Sequence, residues 1–330
     1  MILMLKCAVV SVAALVVAIA AVCLGEPTIG PTTAWSAVVD AAHPLHVAVW
    51  EARLPRVVLA VLAGAALGVS GLLLQDVLRN PIAGPELLGV SSGAAVVTAT
   101  IVVLGLGVSV AVLPYAALAG ALLAGALVLL AIGRTRSPDH VALVGAAVSA
   151  ACGGLVVAVV GLGTQGNVVV LFRYLLGSLA ARGWTHVEAV APWLLIGIVL
   201  AALLRRRVEA LTLGDEVAVG LGVPIVRTRV AAVALAAVLA AAVASACGPV
   251  AFVALLAPHL ARRVVGSVST RKVFWAVPAI GATLLVLADL VSRTVLYPVE
   301  VPVGVATTLV GVPALVLVLR ARRPVAVGSA

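Results

Sequence analysis

The side chains able to do polar chemistry are few and fall in short clusters. "RLPR" places Arg53 and Arg56 three apart, on one helical face, at the start of a long apolar run. A cation at a helix N-terminus opposes the macrodipole by roughly a few tenths of a kcal/mol. Such a pair either anchors a membrane edge by snorkelling or receives an anionic partner. Asp76 stands three residues before Arg79, and Asp289 four before Arg293. Both spacings suit ion pairs on one helix face. They read either as mutual neutralisation at helix ends or as the acids of an ion-coupled transporter, although such acids are expected deep within spans. His43, His46, His140, His186 and His259 form no HExxH pair, and neither a GxSxG elbow nor a G-x-x-x-x-G-K-S/T phosphate loop occurs. Cys7, Cys23, Cys152 and Cys247 stand singly, without metal spacing, and read as small buried hydrophobes. The chain is therefore expected to be no enzyme and to bind no metal or cofactor of its own. Any ATP and Mg would be used by a separate subunit.

The elements that hold these residues are membrane helices. Of 330 residues, 64% are hydrophobic and 10% charged, against roughly 45–50% and 25% in soluble domains. Continuous apolar runs select helices over an alternating barrel. With roughly 20 residues per span, runs 7–25, 57–75, 189–204, 273–288 and 301–319 each hold one, and 141–172 holds one plus a polar-leaning remainder. Run 87–133 divides near 105–114, and 230–261 divides at Gly248-Pro249, where proline removes a donor. The expected fold is all-α and polytopic, with about ten transmembrane helices in one domain over 1–330. The N-terminal run reads as the first span rather than a cleaved signal. An inside N-terminus places every basic residue except Arg53, Arg56, Arg173, Arg182 and Arg293 in the cytoplasm, as charge bias requires. Both termini are then cytoplasmic. The net charge of +9 follows from this topology and is no argument for nucleic acid.

Two segments interrupt the apolar pattern on the inner side. The first, "LRNPIAGPELLGVSSGA" at 78–94, holds two prolines and reads as non-helical backbone at the inner membrane edge. The second, "LGDEVAVGLGVP" within the cytoplasmic segment 205–229, reads as a short helix with Asp215 and Glu216 in its first turn. Val217, Ala218 and Leu221 are its apolar contacts, and Gly222 with Pro224 end it. Such a helix either caps the bundle or docks a cytoplasmic partner.

Four ordered blocks, the stretch from "RLPR" to "SSGA", "LGDEVAVGLGVP", "GPVAFVALLAPHLARRVVG" and "EVPVGVATTLVGVP", resemble the FecCD-type permeases of bacterial ABC importers. The resemblance implies a ten-span subunit of the bacterial cytoplasmic membrane working by ATP-driven alternating access. Its partners would be a second permease subunit, identical or sister, two ATPase subunits and a substrate-binding protein, with lipid around the spans. The implied cargo is an iron chelate, a ferric siderophore first, with haem or vitamin B12 as alternatives. An ion-coupled secondary transporter and a membrane-embedded enzyme are the rivals from other classes. By resemblance, Arg53, Arg56 and Arg293 dock the binding protein. Leu213, Gly214, Asp215, Glu216, Ala218, Leu221 and Gly222 couple to the ATPase. Asn80, Pro81 and Ile82, with Pro138 and Asp139 from the next inner loop, form the cytoplasmic gate.

Overall fold

The computed structural model describes residues 2–109, 111–132, 138–164, 171–172 and 174–320. Among these the chain is helical, with no strand. The helices are α1 (Ile2–Cys23), α2 (Pro31–Val39), α3 (Leu54–Val77), α4 (Val90–Val103), α5 (Leu113–Ile132), α6 (Pro138–Val160) and α7 (Trp184–Thr212). They continue as α8 (Asp215–Gly220), α9 (Ile225–Cys247), α10 (Val253–Val265), α11 (Thr270–Val273), α12 (Val277–Thr294) and α13 (Val303–Arg320). A π-helical stretch, Val47–Arg53, runs directly into α3, and a 3-10 turn, Pro85–Leu88, precedes α4.

Every expected span has its helix. Seven helices are long and apolar enough to cross a membrane. α4 and α13 are shorter apolar helices, and the tenth expected span falls on α10, which has 13 residues and carries Arg262 and Arg263 in its last turn. Run 87–133 divides between Val103 and Leu113, and run 230–261 divides after Cys247. The short members have a physical consequence: α4, with 14 residues, extends only about 21 Å at ~1.5 Å per residue, less than a ~30 Å hydrocarbon core.

The bundle is built around α3, which packs on α7, α9, α10 and α12. Small residues make this contact close. A Cβ on Gly64 would stand 2.3 Å from the Gly281 carbonyl oxygen, and one on Gly71 would stand 1.8 Å from that of Ala254. Helix backbones therefore touch without intervening side chains, the packing that small-residue spacing supports in membranes. At the other extreme, only 6% of the apolar window of α1 and 11% of that of α6 is buried within the subunit. These helices present most of their surface to lipid or to another chain.

Candidate functional site

At the inner end of α3, two groups settle a buried acid. Asp76 accepts from Arg262 at 2.7 Å and from the Thr270 hydroxyl at 2.7 Å, while Gln75 Oε1 accepts from Arg262 at 2.8 Å. This ties α3 to α10 and α11. The sequence pairs Asp76 with Arg79, and the structure corrects that. α3 stops at Val77, and Arg79 adopts a left-handed conformation with φ +48°. Such a position usually falls to glycine after a helix C-terminus. Arginine holds it here, with its side chain directed to Leu211 and Asp215.

Arg79 donates from Nε to the Leu211 carbonyl at 2.8 Å and from Nη2 to Asp215. Asp215 also receives Arg229 at 3.2 Å. Slight burial pushes the Asp215 carboxyl upward, but Arg229 and Arg79 outweigh it and hold the group below the usual carboxylate range. The residues after Arg79 form a tight turn: the Asn80 side-chain oxygen accepts the Ile82 N–H at 3.0 Å, and the Asn80 carbonyl accepts the Ala83 N–H at 3.0 Å. Asn80 and Pro81 are half-buried and Ile82 is exposed. The first expected gate segment is thus joined, through one arginine, to the expected coupling helix. Pro138 opens α6, but the side chains of Pro138 and Asp139 lie outside the described residues.

α8 is short and sharply bounded. Gly214 at φ +114° admits it and Gly222 at φ +73° ends it, conformations that L side chains rarely adopt. Ala218 is buried, Glu216 is exposed, and Leu213, Val217 and Leu221 face outward. Of the three expected apolar contacts, Ala218 faces the bundle, while Val217 and Leu221 face away from it. Ala218 alone seats the helix, and the larger side chains form an apolar face without cover, the mark of an interaction surface.

On the opposite face the three outer arginines hold the protein to itself. Arg53 donates to the carbonyls of Val22 at 3.2 Å and Pro27 at 2.7 Å. Arg56 forms a double contact with Asp289, Nε and Nη2 each at 2.9 Å, and reaches Glu300 at 3.0 Å. Arg293 donates to the Ala21 carbonyl and lies 3.7 Å from Asp289. The cluster fastens the outer end of α1 to α3 and α12. Asp289 is 1% exposed, whereas the Glu300 side chain is 44% exposed, so Arg56 has one enclosed partner and one open to exchange. The sequence signal for these arginines was their exception to the charge bias. Nothing local pointed to Glu300, 244 residues away.

A family model described as the FecCD transport family matches residues 13–321. The Fe(3+)-citrate import system permease protein YfmE of Bacillus subtilis (strain 168) is 35% identical, over 94% of this chain and 93% of that protein. The Fe(3+) dicitrate transport system permease protein FecD of Escherichia coli (strain K12) is 36% identical, over 83% and 85%. The hemin transport system permease protein HmuU of Yersinia pestis is 35% identical, over 82% of each. An inward-facing structure of a metal-chelate type ABC transporter superposes with a TM-score of 0.83 at 24% identity, covering 97% of this chain and 99% of that one.

Proposed function

The chain belongs to the FecCD transport family, and from that premise we propose that it is the permease subunit of an ABC importer carrying an iron chelate, a ferric siderophore first, across the cytoplasmic membrane. The observation that carries this reading is the uncovered apolar face of α8, joined by Asp215 and Arg79 to the Asn80–Ile82 turn. A cytoplasmic ATPase gripping Leu213, Val217 and Leu221 would pull on that turn through a charged link.

The mechanism is alternating access in a pathway made with a second permease subunit, for which the open surface of α6 is available. A substrate-binding protein docks on the outer face, where one of its carboxylates replaces Glu300 on Arg56. Partly enclosed Arg–carboxylate contacts are strong and directional. ATP binding closes the ATPase pair and displaces α8. Docking and nucleotide must favour different pathway states, since a ligand shifts an equilibrium only through differential affinity. The iron-chelate cargo is supported by relatives named for ferric citrate, enterobactin, hydroxamate and hemin import. Proteoliposomes holding the permease with its ATPase and binding protein test the proposal. ATP-dependent uptake of a ferric siderophore is expected. Uptake of haem or cobalamin alone would redirect the cargo, and uptake by the permease without either companion would refute the importer.

A further inference from the structure

Two interruptions of the bundle come together in space. In each half of the chain a long helix ends, a Gly/Pro segment follows, and a short helix starts: α3, residues 78–89 and α4 in the first half, and α9, residues 248–252 and α10 in the second. Paired discontinuous helices of this kind are where transporters place their binding sites, near the bilayer midplane.

Between the two breaks lies a cavity of about 270 Å³. Glu86, Ser91, Ser92 and Ser149 line it from one side and the 248–251 break from the other. Its depth follows from two further lining residues, because Leu67 lies near the middle of α3 and Ser149 at the middle of α6. The 78–94 segment, which the sequence places at the inner edge, therefore starts there at Arg79 and climbs to mid-bundle by Glu86.

Two lining groups stand out. Glu86 is exposed between the buried Pro85 and Leu88. Its carboxyl turns back on its own backbone N–H, and among the described residues it has no ion pair and no hydrogen bond to another side chain. The Ser149 hydroxyl oxygen is buried without any hydrogen-bond partner. Among the described residues, Glu86 is also the one ionisable group lining the cavity. A polar group left open at this depth costs stability unless something else completes it, and an ionisable residue inside a membrane bundle is by default functional. A turn-forming role for Glu86 would leave the unpartnered Ser149 hydroxyl in the same lining unexplained.

We propose that this cavity is a mid-membrane contact site for the iron chelate, in which Ser91, Ser92 and Ser149 donate to its oxygen-rich surface and Glu86 accepts from its N–H or O–H groups. The assignment rests on the importer reading above and adds the residues that meet the cargo and the chemistry they select.

The test uses the full transport complex in proteoliposomes with a ferric trihydroxamate as probe. Cysteines placed by Glu86→Cys and Ser149→Cys in a cysteine-free background are expected to react with a hydrophilic thiol reagent, and bound probe to slow that reaction. Glu86→Ala and Ser149→Ala are each expected to raise the KM for uptake about tenfold, the loss of one hydrogen bond to a charged or enclosed partner, with ATP hydrolysis unchanged. Ser149→Ala carries the test should Glu86→Ala fail to assemble. Inert thiols at both positions alongside intact wild-type uptake would overturn the site and leave the importer standing. Labelling unaffected by probe, with uptake kinetics unchanged in both alanine variants, would also overturn it. A wild-type complex that moves no iron chelate while both thiols still react would overturn the importer reading, and with it the ligand assigned here.

Discussion

Replacing Asp215 by Asn should uncouple ATP hydrolysis from transport while leaving the complex assembled. The carboxylate joins Arg79, whose side chain is 39% exposed, to Arg229, which is 7% exposed. The Arg79 pair is open to water and contributes about 0.5–1 kcal/mol. The Arg229 pair is more enclosed and adds about 1–2 kcal/mol. The Arg229 pair holds α8 to α9, so the free energy transmitted from α8 to the gate turn falls by the Arg79 share, about 0.5–1 kcal/mol, or roughly 2–5-fold in a coupled equilibrium. The assay is the ratio of cargo imported to ATP hydrolysed in proteoliposomes, measured for Asp215→Asn, Arg79→Gln and the double variant. Because both residues act in one link, the double variant should be no worse than the more damaging single one. The sign of the pH dependence follows from the depressed carboxyl. The link is complete above the ordinary carboxylate value of ~3.9 and is lost only as pH falls through the lower folded value. Coupling should therefore stay constant from mildly alkaline to mildly acidic buffer. An unchanged ratio in Asp215→Asn, or strictly additive losses in the double variant, would refute the link.

The outer and core contacts give three further expectations. Asp289→Asn strips an enclosed partner from Arg56 and should cost about 3–5 kcal/mol, whereas Glu300→Gln, at an open position, should cost under ~1 kcal/mol; thermal unfolding in detergent compares the two, and equal losses would contradict the assigned burial. Gly64→Ala forces a methyl against the Gly281 carbonyl and should lower stability by about 1–3 kcal/mol, while Gly220→Ala, where a Cβ meets nothing within 4 Å, should leave the unfolding temperature essentially unmoved. Arg56→Glu should weaken capture of the binding protein in a pull-down, with the melting curve reporting the fold separately; undiminished capture by a folded variant would remove Arg56 from the docking surface.

Much of the architecture could be read from apolar run lengths. Charge-free stretches and Gly/Pro punctuation placed a helix in every expected run and both divisions, seven of the helices long enough to cross a membrane, because bilayer burial imposes continuous apolar helices whatever the packing partners. Depth was not legible in the same way: hydropathy is equally high along a helix that begins at the surface and one, like α4, that begins halfway through. The Asp76–Arg79 pairing failed for a local reason, since i, i+3 spacing brings two side chains together only while the helix continues, and α3 ends between them. The outer arginines were conspicuous by sign, yet Asp289 and Glu300 reach Arg56 from 233 and 244 residues away. The short helix after Gly214 was legible in the sequence, but the direction in which Val217 and Leu221 face depends on the seat that Ala218 finds beneath it.

The contact between α3 and α12 limits how this subunit can rearrange. Where Gly64 meets Gly281, carbonyl lies against backbone with no rotamer to adjust, so sliding one helix along the other would collide main chain with main chain. The two must travel as a single keel. A comparable joint holds the other flank: a Cβ on Gly145 of α6 would stand 1.5 Å from the Leu87 carbonyl oxygen, so α6 is tied main chain to main chain to the segment that precedes α4, and any rearrangement must carry that pair together as well.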